Sequence, residues 1–74
     1  MYRVRFKLTP WPRGGIHVSR IHGVIFEERR YFLSRDDTVR REAKIDAETI
    51  RKQNCLEYCD VVEITEITER QVVL

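Results

Sequence analysis

Eight residues near the start of the chain constrain the fold more than any other stretch. Tyr2, Val4, Phe6 and Leu8 alternate with Arg3, Arg5, Lys7 and Thr9. Period-two alternation over this length is the signature of a half-buried β-strand, with one face on a core and the other in solvent. The apolar face needs a cover, and the opposite face, a row of three cations, cannot be buried unpaired. With 74 residues, the chain has material for one thin core, because a chain of this size buries only about 60% of its unfolded surface. A single domain over residues 1–74 follows, with one sheet and one covering layer.

The elements that complete the sheet are less sharply written. Pro10-Trp11-Pro12-Arg13-Gly14-Gly15 ends the strand, since proline removes amide donors and glycine tolerates positive φ. Trp11, held between two prolines, is expected to keep part of its ring exposed. Ile16 and Val18 share a phase that breaks at Arg20-Ile21, with Gly23 as a bend or bulge. Val24-Ile25-Phe26 and Tyr31-Phe32-Leu33 flank Glu27-Glu28-Arg29-Arg30, which reads as a hairpin around a charged four-residue turn lacking the Asn-Gly or Asp-Gly signature. Ser34-Arg35-Asp36-Asp37 reads as a connection ending in helix-capping residues.

Residues 38–53 are rich in helix formers. Val39, Ala43, Ala47 and Ile50 fall on one helical face, from which Ile45 is displaced, and Glu48 and Lys52 form an i,i+4 pair. Two of the four face residues are alanine, so a rival parse stays open: a strand through Arg41, Ala43, Ile45 and Ala47, then a short helix capped by Asp46. Asn54 is a stop signal. Val61 to Thr68 is dominated by β-branched residues and reads as a strand. Its three-residue Glu-Ile-Thr repeat requires a bulge or turn near Thr65–Ile67. Val72-Val73-Leu74 adds a short strand or pairs with a partner. The expected architecture is α+β: a small antiparallel sheet of four or so strands with one helix packed on a face.

Charge is unevenly distributed. The net +2 conceals residues 1–35, with eight basic residues against two acids, and residues 36–74, with six basic residues against ten acids. The halves therefore carry +6 and −4, which fits either internal attraction or a basic face for an acidic partner. Eleven of the 14 cations are Arg, the better donor to carboxylate and phosphate. No stretch approaches the roughly 20 consecutive apolar residues of a membrane span, and the alternating N-terminus lacks the apolar run of a signal peptide. Two cysteines are too few for a disulfide scaffold. The expected compartment is the cytoplasm.

Motifs for chemistry are sparse. His17 and His22 with Cys55 and Cys59 offer four zinc-type ligands, but the spacings are H-x4-H and C-x3-C, and the histidines would point to opposite faces of one strand. The cysteines are not a C-x-x-C redox pair and read better as two small core side chains. Ser19 and Ser34 lack a nucleophile elbow, and neither histidine has an evident carboxylate partner. Gly14-Gly15 is a turn rather than a phosphate loop. Asp36-Asp37 is better explained as helix capping than as an acid–base pair. No catalytic residue, metal or cofactor is therefore assigned.

Binding surfaces are better marked. Arg3, Arg5, Lys7, Trp11 and Arg13 form a basic patch, with His17, Arg20 and His22 following in sequence. A cationic sheet face with an aromatic ring can follow phosphates and stack a base, although the ten acids of the second half oppose a phosphate backbone. Glu57, Asp60, Glu63, Glu66 and Glu69 place five acids in 13 residues, and Glu63, Glu66 and Glu69 are the alternative patch, facing a basic protein surface. The balance favours a protein partner docking by strand addition or charge complementarity. Nucleic acid is the second class, and a homodimer fits the thin core.

Ile45-Asp46-Ala47-Glu48-Thr49-Ile50-Arg51 followed by Asp60-Val61-Val62-Glu63-Ile64 resembles the β–α–β half of small bacteriophage-encoded accessory and host-takeover proteins. These include virion accessory proteins and inhibitors of RNA polymerase or of CRISPR complexes. The resemblance covers residues 43–67 and carries over no functional residue. It implies a non-enzymatic protein that binds and modulates a larger host complex by steric occlusion in the infected cell's cytoplasm, or a virion component.

Overall fold

The structure is a computed structural model that describes residues 1–12 and 19–67. Strands β1 (Tyr2–Thr9) and β2 (Ile25–Tyr31) precede helix α1 (Asp36–Gln53), and β3 (Tyr58–Glu66) follows it. The sheet order is β2-β1-β3, with both neighbours antiparallel to β1. Consequently β2 and β3 run parallel to each other, and β2-α1-β3 is a β–α–β crossover split by β1.

The alternating strand occupies the centre because it alone carries a continuous apolar face. Tyr2, Val4, Phe6 and Leu8 are all buried, and Val4 and Phe6 have no exposed surface. Helix α1 covers them with Val39, Ala43, Ala47 and Ile50, while Ile45 is exposed. The helical parse of residues 38–53 therefore holds, and the rival strand does not form. The two alanines leave little between helix and sheet, and both are buried. Leu56 closes the core, and Ile21, Tyr31, Leu33, Cys59, Val61 and Ile64 pack around its margin.

Four expectations need correction. The sheet has three strands among the described residues, not about four. Glu27 to Arg30 form no turn but the middle of β2, paired with β1 from Tyr2↔Tyr31 to Leu8↔Ile25. Edge position explains this: α1 packs chiefly on β3 and β1, so β2 can carry charges on both faces, and Glu27 and Arg29 pair on one of them at 3.8 Å. The bulge in β3 lies at Val62, where the register shifts opposite Arg5 and Phe6, rather than near Thr65–Ile67. The helix N-cap is Arg35, without a side-chain cap bond, and Asp36 and Asp37 lie in the first turn, where they favour the helix dipole. The readings of Ile16–Val18 and Val72–Leu74 lie outside the described residues.

The end of α1 is a Schellman motif with an unusual residue. The amide of Leu56 donates to the Arg51 carbonyl at 2.9 Å, and the amide of Cys55 to that of Lys52 at 3.3 Å. This pattern needs a left-handed residue at the position of Cys55, usually glycine, and Cys55 has φ +51°. The accompanying apolar contact is met by Leu56 and Ile50, both buried. The Ser19 hydroxyl donates to the Asn54 carbonyl at 3.2 Å and accepts from the Ile21 amide at 3.1 Å, tying that segment to the helix end.

Candidate functional site

Among the described residues, no element covers the face of the sheet away from α1. Pairing places side chains of opposed residues on the same face, so this face carries Arg3, Arg5 and Lys7 in its centre, as the alternation predicts. Their neighbours follow from the register. Arg3 stands between Arg30 and Thr65, Arg5 between Glu28 and Glu63, and Lys7 between Phe26 and Asp60. Thr9 lies beside Tyr58.

The cation row is thus flanked by acids from both edge strands. Arg3 Nη2 lies 3.8 Å from Glu63 Oε1, and Thr65 Oγ1 donates to the same oxygen at 2.9 Å. The Arg5 guanidinium sits 4.4 Å from the centre of the Phe26 ring, a cation–π contact. Phe26 and Tyr58 are about half exposed, as is Val62 at the bulge. Part of the basic row pairs within the fold, as internal attraction between the two halves requires, and the row stays partly exposed.

Of the two sequence-predicted patches, the structure gathers Arg3, Arg5 and Lys7 on one face. Trp11 lies just beyond the end of β1 and is half-buried. Arg13 and Glu69 lie outside the described residues. Glu63 joins the basic row, whereas Glu66 is opposite Tyr2 and so belongs to the helix side. Glu63 and Glu66 therefore do not form one stripe, because the strand alternates between them.

The helix side has a feature the sequence reading missed. Arg40, Arg41 and Lys44 rim a groove floored by Val61 and Ile64 of β3. Arg40 is engaged by Asp36 at 3.0 Å. The signal was present in the spacing of the three cations around buried Val39 and Ala43, but the neighbouring strand could not be inferred from it. Tyr31 donates from its hydroxyl to Asp46, bridging β2 to α1. Burial first, and then the Asp46 carboxylate, push the Tyr31 phenol well above its ordinary value.

The two thiols occupy different environments. Cys55 is exposed in the helix-ending turn, which corrects its assignment to the core, while Cys59 is partly buried in β3. Burial pushes the Cys59 thiol up to about 11, away from the thiolate that redox chemistry requires. No group of three or more metal-ligating side chains occurs among the described residues, and His17 lies outside them. No helix among the described residues is long and apolar enough to cross a membrane. The chain matches no protein-family model, no curated protein and no solved structure.

Proposed function

We propose that this chain is a non-enzymatic protein-binding module whose open sheet face covers a surface of a larger protein complex. The observation that carries the reading is the flanking of the β1 cations by Glu28, Asp60 and Glu63. A phosphate backbone is held by continuous positive charge, with counterion release, and acids on both sides of Arg5 work against it. A protein surface with its own interleaved charges fits this pattern, with Phe26 and Tyr58 as exposed aromatic contacts. The class of partner, a host complex whose working surface is blocked sterically, is carried over from the resemblance of residues 43–67 to phage accessory and host-takeover proteins; of its β–α–β pattern, this span forms the end of α1 and β3, without a preceding strand.

Nucleic acid remains the second reading, favoured by Arg3, Arg5, Lys7 and Arg30 sharing the open face with two aromatic rings. One experiment separates the two. The full chain is immobilised and exposed to bacterial lysate with and without nuclease, alongside Arg5→Glu and Lys7→Glu variants. Retention of a defined protein that survives nuclease and is lost in both variants supports the proposal. Retention abolished by nuclease, or equal in wild type and variants, refutes it.

A further inference from the structure

Among the described residues, strand β2 has β1 on one side and no strand on the other. Natural edge strands are guarded by charged side chains, proline or a bulge. β2 has neither proline nor a bulge, the sheet's bulge lying in β3, and its guard is four charges, Glu27, Glu28, Arg29 and Arg30. The stretch around β2 is also ordered like a palindrome: Val24-Ile25-Phe26, then Glu27-Glu28, then Arg29-Arg30, then Tyr31-Phe32-Leu33. Three apolar residues, two acids, two bases and three apolar residues give a strand whose reversed copy, shifted by one residue to keep the two faces in phase, still sets Glu27 against Arg29 and the apolar ends against each other. Its apolar ends are exposed: Val24 49%, Ile25 43%, Phe26 50% and Phe32 78%.

We propose that two copies of this chain pair antiparallel through β2, joining their sheets into one of six strands. Antiparallel partners share a face, and a two-fold axis through the pairing makes the interface self-complementary. In this sheet the even-numbered residues of β2 face away from α1 and the odd-numbered ones towards it, so the register must bring even against even. Centring on Glu28 meets that condition. It sets Glu27 against Arg29 of the second copy and Phe26 against Arg30 of the second copy. It also sets Ile25 against Tyr31 and Val24 against Phe32 of the second copy, and every one of these pairs occurs twice.

The single like-charged pair is Glu28 against its own copy on the axis. Arg5 is already in register with Glu28 in each chain, so two guanidinium groups flank the two carboxylates. Phe26, with Arg5 against its ring, gains Arg30 of the second copy on its open side. This pairing leaves the proposed protein-binding face exposed and doubles it, and it stands independently of that function.

Sedimentation equilibrium of the full chain over a wide concentration range tests the proposal. The expected result is a reversible rise from one chain, 8.9 kDa, to twice that mass and no further. Glu27→Arg sets two pairs of like charges together and is expected to weaken the dimer at least tenfold. The double variant Glu27→Arg with Arg29→Glu exchanges the charges and is expected to restore it. Phe32→Lys, at a residue with no core role, is expected to weaken it as well. Circular dichroism confirms that each variant is folded. A monomer at every concentration overturns the proposal. So does a dimer indifferent to Glu27→Arg, which places the contact in another register or on another surface. Association that continues beyond two chains also overturns it and points to β2 pairing with the β3 edge.

Discussion

The three phenylalanines allow one substitution to be compared in three environments. Phe6 is fully buried at the centre of the sheet, Phe26 is 50% exposed beneath Arg5, and Phe32 is 78% exposed. Truncating a buried Phe to Ala costs about 3–5 kcal/mol, because a cavity is left where the ring was. A chain of this size is stabilised by roughly 4–11 kcal/mol in total, at about 0.05–0.15 kcal/mol per residue. Phe6→Ala is therefore expected to remove between about a quarter and all of the stability. At Phe26 about half of the roughly 1.5–3 kcal/mol for burying a large apolar side chain is at stake. The exposed cation–π contact adds about 0.5–1 kcal/mol, so the expected loss is about 1.2–2.5 kcal/mol. Phe32→Ala is expected to stay within about 0.5 kcal/mol, as for ordinary surface positions.

The assay is urea unfolding followed by far-ultraviolet circular dichroism, at low chain concentration so that association through β2 does not contribute. With a slope near 1 kcal/mol per molar urea, Phe6→Ala shifts the midpoint by about 3 M or abolishes the transition. A loss below about 1.5 kcal/mol at Phe6, or any order other than Phe6, Phe26, Phe32, would refute the assignment of core and surface.

Cys55→Gly is expected to stabilise the chain by about 0.5–1 kcal/mol in the same assay, since glycine meets the left-handed turn without a Cβ clash; a loss would show that Cys55 contributes contacts of its own. Tyr31→Phe is expected to cost about 1 kcal/mol, the net value of a typical hydrogen bond, and a neutral result would remove Asp46 from the β2–α1 contact. Because the Tyr31 phenol ionises later in the folded chain than in the unfolded one, its contribution is complete below about pH 10 and declines above it. Urea midpoints in an alkaline series check this, with the slope reduced in Tyr31→Phe. Iodoacetamide near neutral pH is expected to alkylate exposed Cys55 well before Cys59, whose thiol is pushed up to about 11. Peptide mass spectrometry reads the two rates, and equal rates would contradict the burial of Cys59.

The legible parts of the sequence were those where one face alternates cleanly against a core. Tyr2, Val4, Phe6 and Leu8 announced β1, and Val39, Ala43, Ala47 and Ile50 announced the inner face of α1, alanines included. Glu27 to Arg30 misled because an edge strand outside the helix's cover can be charged on both faces, so its period-two signal vanishes. Cys55 gave no warning of a left-handed turn, since the motif is normally marked by glycine. The basic row was visible in β1 alone, but its acidic neighbours depended on register. A one-residue bulge at Val62 decides that Glu63 stands beside Arg5, and no local pattern specified that bulge.

The central position of β1 has a consequence for the order in which the molecule can assemble. Its pairing with β2 is closed within the first half of the chain, whereas Thr9 meets Tyr58 and Tyr2 meets Glu66 only across separations of 49 to 64 positions. Distant pairings of this kind slow folding, because loop entropy is lost before the contacts form. At about 5–20 residues per second, the ribosome needs on the order of 3–10 s to deliver β3 after β1. Throughout that interval the second edge of β1, with Val4 and Phe6 not yet covered, is open to any strand that arrives first.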